Sequence, residues 1–207
     1  MKPKIYDYII VGSGSAGGIE FIHKLMMNKI SLWISIITIC FDAEEKGLLG
    51  SKFYTQNPTK NLEQTTLMIN MDMIGRMSDS SYTVGGVGTS PSFGYLLDSL
   101  KKGRPFNLIM NKPGFGPSDH AAFYAKDIPV LFFFSGVHDE YHTPADTWQL
   151  INLRGEKHIL DYIYDLTYYL SRAPKRPVFQ EAGPKEGQMG APKNFKVSFH
   201  LFLRLLI

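Results

Sequence analysis

The stretch Leu32-Trp33-Ile34-Ser35-Ile36-Ile37-Thr38-Ile39-Cys40-Phe41-Asp42-Ala43-Glu44-Glu45-Lys46-Gly47-Leu48-Leu49-Gly50-Ser51 decides the fold. Its first half, residues 32–41, is rich in β-branched side chains and apolar on both faces. That continuous pattern marks a central strand covered on both sides, as in a parallel sheet flanked by helices. Its second half turns polar at Asp42 and becomes helical in spacing from Gly47. The adjacent carboxylates Glu44 and Glu45 stand at the junction. A strand end running into a helix start is where α/β enzymes keep much of their chemistry. On an irregular turn, neighbouring side chains point apart, so one carboxylate can hold a cation while the other moves a proton. The plainer alternative is an acidic first turn favoured by the helix dipole.

Outward from this junction, strand-like and helix-like stretches alternate. Strands are expected at residues 5–11, 65–73, 82–87, 106–110 and 129–134. Helices are expected at 19–28, 47–56, from Ser90-Pro91 onward, from Ser118 to about residue 126, and at 154–171, where Ile159, Ile163, Leu166 and Leu170 share a face. Residues 12–18 read as a glycine-rich turn. The rhythm implies a three-layer α/β/α domain with a central mixed, mostly parallel sheet over residues 1–173. From Pro174 onward, Pro and Gly break any long element, and residues 174–207 read as a separate Pro/Gly-rich basic tail.

Composition excludes several classes. The 207 residues are 44% hydrophobic, enough for one sizeable core. The net charge of +3 is concentrated at the end: residues 171–207 carry seven Lys/Arg against two acids, leaving fifteen against seventeen before them. No nucleic-acid surface is expected. The single cysteine, Cys40, rules out an intrachain disulfide and reads as a buried thiol. No apolar run is long enough for a membrane span, and no signal peptide is visible.

Three further polar groups stand at strand ends or in loops. Asp72 closes Asn70-Met71-Asp72, Ser118-Asp119-His120 follows a Gly/Pro loop, and His142 opens His142-Thr143-Pro144-Ala145-Asp146-Thr147. Each alone has an ordinary reading: a turn residue, a helix start, a surface histidine. Together, Glu, Asp and His at successive strand ends make an oxygen-rich set with one imidazole, suited to Zn²⁺ or to Mn²⁺ or Co²⁺ in its place.

Over roughly residues 19–182 the chain resembles the family-28 zinc metallopeptidases, aminopeptidases with a glutaminyl-cyclase-like α/β fold. Ala43-Glu44-Glu45 with Gly47-Leu48-Leu49-Gly50-Ser51, Asn70-Met71-Asp72, Ser118-Asp119-His120 and His142-Thr143-Pro144-Ala145-Asp146-Thr147 carry the resemblance, in the family's order. It implies a zinc-dependent exopeptidase acting on the N-terminal bond of a peptide. Glu44 would be the general base, and Glu45, Asp72 and His142 the metal ligands. Ser118, Asp119 and His120 would border the substrate or support the ligands. Asp146 would cap the last helix or steady the loop holding His142. Two zinc ions about 3.5–4 Å apart would share a water whose proton Glu44 takes.

The same comparison shows a departure. The family pattern needs an upstream His near a strand end and a bridging Asp opening a helix. The chain reads Val11-Gly12-Ser13-Gly14-Ser15-Ala16-Gly17-Gly18 there, and His23 is inside a helical stretch. One metal position would keep Glu45 and His142 and the other Asp72 alone, against the three protein ligands usual in catalytic zinc sites. Weak or single-metal binding and impaired catalysis are therefore expected; the alternative is a non-catalytic remnant. Residues 6–18 resemble instead the amino-terminal fingerprint of flavin-dependent glucose-methanol-choline oxidoreductases, a strand followed by G-x-G-x-x-G that could cradle a pyrophosphate. Nothing later resembles a flavin domain. Residues 192–198 resemble the opening of a PDZ-like module that residues 199–207 do not continue, so both ends read as truncated or recombined. Members of the family are often exported.

Overall fold

The computed structural model describes residues 8–13, 15–28, 32, 34–185 and 202–205. Twelve strands and α-helices are described: β1 (Tyr8–Ser13), α1 (Ser15–Met27), β2 (Ser35–Ile39), α2 (Leu49–Gln56), β3 (Thr65–Asp72), β4 (Ser81–Gly85), α3 (Phe93–Lys101), β5 (Asn107–Met110), α4 (His120–Tyr124), β6 (Val130–Phe134), α5 (Leu153–Arg172) and β7 (Phe202–Leu205). They form one sheet in the order β5-β4-β6-β3-β1-β2-β7. β1 pairs parallel with β2 and β3, β3 with β6, and β4 with β5. Only β4 against β6 and β7 against β2 run antiparallel. The sheet is thus mixed and mostly parallel, as its apolar strands imply.

Side-chain alternation along the central strands separates two cores. Ile9 and Val11 of β1, Leu67, Ile69 and Met71 of β3, and Leu131 and Phe133 of β6 face one side. There they meet Phe21 and Leu25 of α1, Phe93 and Leu97 of α3, and Ile159, Ile163 and Leu166 of α5. Ile10, Met68 and Val130 face the other side, against Tyr54 of α2 and Phe123 of α4. β3, in the middle of the sheet, is buried at six of its eight positions, Asn70 included, whereas β2, expected to be central and covered on both sides, lies next to the edge strand β7 and is only partly buried.

Boundaries shift where packing overrides local signals. Helix α1 starts at Ser15, inside the glycine-rich stretch, because its buried face of Gly18, Phe21, Ile22 and Leu25 carries the helix back toward the sheet. Glycine costs a helix only about 1 kcal/mol per residue, less than this burial returns. Helix α4 is confined to His120–Tyr124, and Ser118 does not cap it. Its hydroxyl is engaged by Asp72 and Asn70 instead.

After α5 the chain lies back on the domain. Gln180 N–H donates to the Thr89 carbonyl at 2.9 Å, and Ala182 N–H to the Tyr124 hydroxyl at 2.8 Å. That hydroxyl donates in turn to the Gly183 carbonyl at 2.7 Å. The flavin-like residues Tyr6, Asp7 and Gly14 and the PDZ-like 192–198 lie outside the described residues. Among the described residues no helix is long and apolar enough to cross a membrane.

Candidate active site

β1, β2, β3 and β6 run parallel, so their carboxyl ends share one edge of the sheet. The loops leaving β2 and β6 carry Glu44-Glu45 and His142 to that edge, and Asp72 reaches it as the last residue of β3. Glu44–Lys46 form a single 3-10 turn with left-handed residues on both sides, Ala43 at φ 55° and Gly47 at φ 99°. Leu48 follows at φ 61°, and Met73 and His142 are left-handed too, at φ 52° and 57°. Non-glycine residues avoid this region at a cost of order 1–3 kcal/mol each, and such strain clusters at functional sites. Backbone bonds hold the first turn closed: Leu48 N–H to Glu44 O at 2.9 Å and Gly50 N–H to Asp42 O at 3.0 Å.

Asp72 ends β3. Ser118 Oγ donates to Asp72 Oδ2 at 2.9 Å and accepts from Asn70 Nδ2 at 2.8 Å. At the end of β6, the Ser135 hydroxyl donates to the Met73 carbonyl and ties the two strand ends together.

The carboxylates share one electrostatic field. Burial, then Asp72, Asp119 and Glu45, push the Glu44 carboxyl up to about 7. Burial raises Asp119 to about 6; a hydrogen bond from Ser51 opposes this, and Asp72 and Glu45 add to it. Burial also raises Asp72, against the Ser118 hydrogen bond, while Glu45 raises it and His142 lowers it. Asp119 Oδ1 is buried without a hydrogen-bond partner. His120 is fully buried, stacked on Phe132 at 4.4 Å with Nδ1 unpartnered. Burial lowers its pKa to about 3, so it is neutral.

His142 is exposed and stacks on Tyr141 at 3.8 Å. The loop around it is pinned by Arg76, whose guanidinium reaches Glu140 at 2.6 Å and Asp146 at 2.5 Å. Asp146 does not cap the last helix; Asn152 does, accepting from Gly155 N–H at 2.9 Å. Asp146 lies in the loop itself, paired with Arg76. Sequence reasoning missed Tyr141 and Arg76. Tyr141 lies in the field of Asp72, Glu44 and Glu45, which add to the effect of burial in raising its phenol. The signal was present, since Tyr141 precedes His142 and Arg76 follows Asp72 by four residues.

The donor chemistry suits a divalent cation: crowded carboxylates, one of them with an unpartnered buried oxygen. The geometry stops short of a site, since among the described residues no three His, Cys, Asp or Glu converge on a point that could hold a metal. β1 ends at Gly12 and Ser13, paired with Asn70 and Met71 of β3, immediately beside Asp72. The neighbouring strand end that could bring a further ligand carries no carboxylate or imidazole at these positions.

The family model of Peptidase family M28 matches residues 11–167, spanning all four motifs. The chain belongs to Peptidase family M28. Aminopeptidase YwaD of Bacillus subtilis is 27% identical over 176 residues, 80% of this chain and 38% of that protein. Leucine aminopeptidase 2 of Trichophyton equinum is 31% identical over 137 residues, 60% of this chain and 27% of that protein. The chain therefore spans well under half the length of these relatives. The aminopeptidase from Aneurinibacillus sp. strain AM-1 superposes with a TM-score of 0.66 at 25% identity, over 88% of this chain and 48% of that one. The LapA aminopeptidase of Legionella pneumophila shares the fold at a TM-score of 0.72 and 21% identity, over 84% of this chain and 54% of that one. A further structure of this fold is a zinc aminopeptidase from Bacillus subtilis, consistent with zinc use in the family.

Proposed function

We propose that this M28 chain carries the carboxylate-and-histidine part of an exopeptidase that hydrolyses the N-terminal bond of peptides, and that alone it is an impaired catalyst. The observation that carries the reading is Glu44 at the carboxyl end of β2, its carboxyl raised to about 7 among Asp72, Asp119 and Glu45. A group that exchanges protons near neutrality suits a general base that takes a proton from water and returns it to the leaving amine. Glu45, Asp72 and His142 are the candidate ligands, but they do not close a site. Fewer protein ligands than the three usual in catalytic zinc sites would weaken the stabilisation of the developing oxyanion, usually the largest single contribution in acyl transfer.

A second reading is a non-catalytic remnant of the peptidase fold. It is favoured by one specific observation: Gly12 and Ser13 stand at the strand end beside Asp72. Metal content by mass spectrometry, run with an aminoacyl-anilide assay on the chain and on Glu44→Gln, separates the two. Slow hydrolysis that falls roughly 10²- to 10⁴-fold in the variant supports the enzyme. Equal rates in both proteins support the remnant, and tight binding of two zinc ions per chain refutes the impaired reading.

A further inference from the structure

The loop from His138 to Asp146 presents His142 with a left-handed backbone, and every residue from Tyr141 to Leu150 is exposed, so burial does not hold it in place. Polar contacts to Arg76 take that role. Nη2 meets Glu140 Oε2 at 2.6 Å and Nη1 meets Asp146 Oδ1 at 2.5 Å, two residues before His142 and four after it. His138 stands inside the same frame, with Nδ1 3.3 Å from Glu140 and Nε2 3.7 Å from Asp146. The Thr143 hydroxyl closes the turn by donating to the Glu140 carbonyl at 2.7 Å.

We propose that Arg76 is a positioning residue: its guanidinium latches both arms of the His142 loop to the strand end that carries Asp72. Arg76 is itself fixed on the far side, where Asn152 N–H donates to the Gly75 carbonyl and Asn152 Nδ2 to the Met77 carbonyl, each at 2.8 Å. The Arg76 side chain is 15% exposed and its partners Glu140 and Asp146 are 33% and 39% exposed, so solvent screens each pair and the hold comes from the two engaging one guanidinium together. A guanidinium presents several donors in a rigid planar fork and can engage two carboxylates at once. A lysine ammonium at the same place is a point charge that cannot span both arms equally. Asp72 and His142 are seventy positions apart in sequence, and one arginine four residues beyond Asp72 sets their relative placement.

The inference rests on the ligand role proposed for His142 only in its consequence for metal, and the experiment keeps the two apart. Amide hydrogen exchange of the metal-free chain is compared for Arg76→Met, Arg76→Lys and the unaltered protein. Exchange across 138–146 is expected to quicken roughly tenfold or more in Arg76→Met, and partly in Arg76→Lys, with the sheet strands unchanged. Unchanged loop exchange in both variants overturns the latch. If Arg76→Met fails to fold, Arg76→Lys decides alone. Zn²⁺ binding by competition with a chromogenic chelator is then measured for Arg76→Met, His142→Ala and the double variant. Equal losses that do not add place Arg76 upstream of His142, whereas additive losses overturn that route. No loss in His142→Ala removes the ligand reading of that residue and leaves the latch to be decided by exchange.

Discussion

Ser118 donates its hydroxyl proton to Asp72 at 2.9 Å across forty-six residues of chain and accepts from Asn70 in the same geometry. One oxygen of Asp72 is thereby fixed, and the loop after β5 is tied to the end of β3. Ser118→Ala removes the donor to Asp72 and leaves the buried Asn70 amide without its partner. Loss of a buried hydrogen bond with an orphaned group costs about 1–3 kcal/mol. Urea unfolding is expected to show a lower midpoint by that amount with an unchanged slope. A midpoint within error of the parent contradicts the assignment.

His120 makes the fold sensitive to acid. Its ring is buried and neutral, with a pKa lowered by burial from 6.5 to about 3. The unfolded chain takes up a proton below its ordinary pKa and the folded chain does not. Stability is therefore complete above about pH 6.5 and lost as pH falls toward 3. At pH 5 the loss amounts to about 2 kcal/mol, from 1.36 kcal/mol per unit. His120→Phe keeps a ring to stack on Phe132 and removes the titration. Thermal midpoints between pH 7 and pH 5 are expected to fall less steeply in the variant, whatever its absolute stability.

Glu44 contributes the opposite slope in an overlapping window. Its carboxyl is raised from 4.5 to about 7, so the folded chain holds the proton more tightly than the unfolded one. The stabilisation is complete below about pH 4.5 and disappears as pH rises through about 7. Partial exposure screens it, which keeps the effect under about 1 kcal/mol. Glu44→Gln removes the crowding charge, and the metal-free variant is expected to melt higher than the parent at pH 8 by roughly 2–4 °C. A variant that melts lower at pH 8 shows that the carboxylates are not crowded.

The three-layer fold was legible because its signals are local: strands buried on both faces read as apolar runs, and α5 shows its buried face in Ile159, Ile163, Leu166 and Leu170. The shared edge follows from topology: Asp72 ends β3, and Glu44 and His142 lie in the loops after β2 and β6, strands that run parallel with β3 in the same sheet. Contacts between remote segments were not legible. Ser118 reads as a helix cap until β3 is placed beside it, and nothing local distinguishes its hydroxyl's choice of Asp72. Arg76 reads as an ordinary loop charge until the 138–146 loop folds over it. The start of α1 was misplaced because glycines that favour a turn locally were outweighed by helix packing on the sheet.

The turn that carries Glu44 and Glu45 depends on a missing side chain. A Cβ on Gly50 would lie 2.6 Å from the Asp42 carbonyl oxygen and 2.8 Å from its nitrogen, both backbone atoms that cannot rotate away. Gly50→Ala must therefore push the start of α2 away from the turn, at the roughly 1–3 kcal/mol typical of overpacking. The turn closes through the Gly50 N–H to Asp42 bond, so displacement moves Glu44 relative to Asp72 and Asp119 and relaxes the raised carboxyl toward its ordinary value. Gly94→Ala in α3 is the control, because its nearest neighbour, Val87 Cγ1, is 4.0 Å away. Alanine there is expected to stabilise by about 0.5–1 kcal/mol through helix propensity. Thermal melts at pH 8 and pH 5 check both: Gly50→Ala should lower the midpoint and lose the Glu44-dependent part of its pH slope, while Gly94→Ala raises the midpoint and keeps that slope. Equal midpoints for the two variants would mean that the turn has room that these contacts deny it.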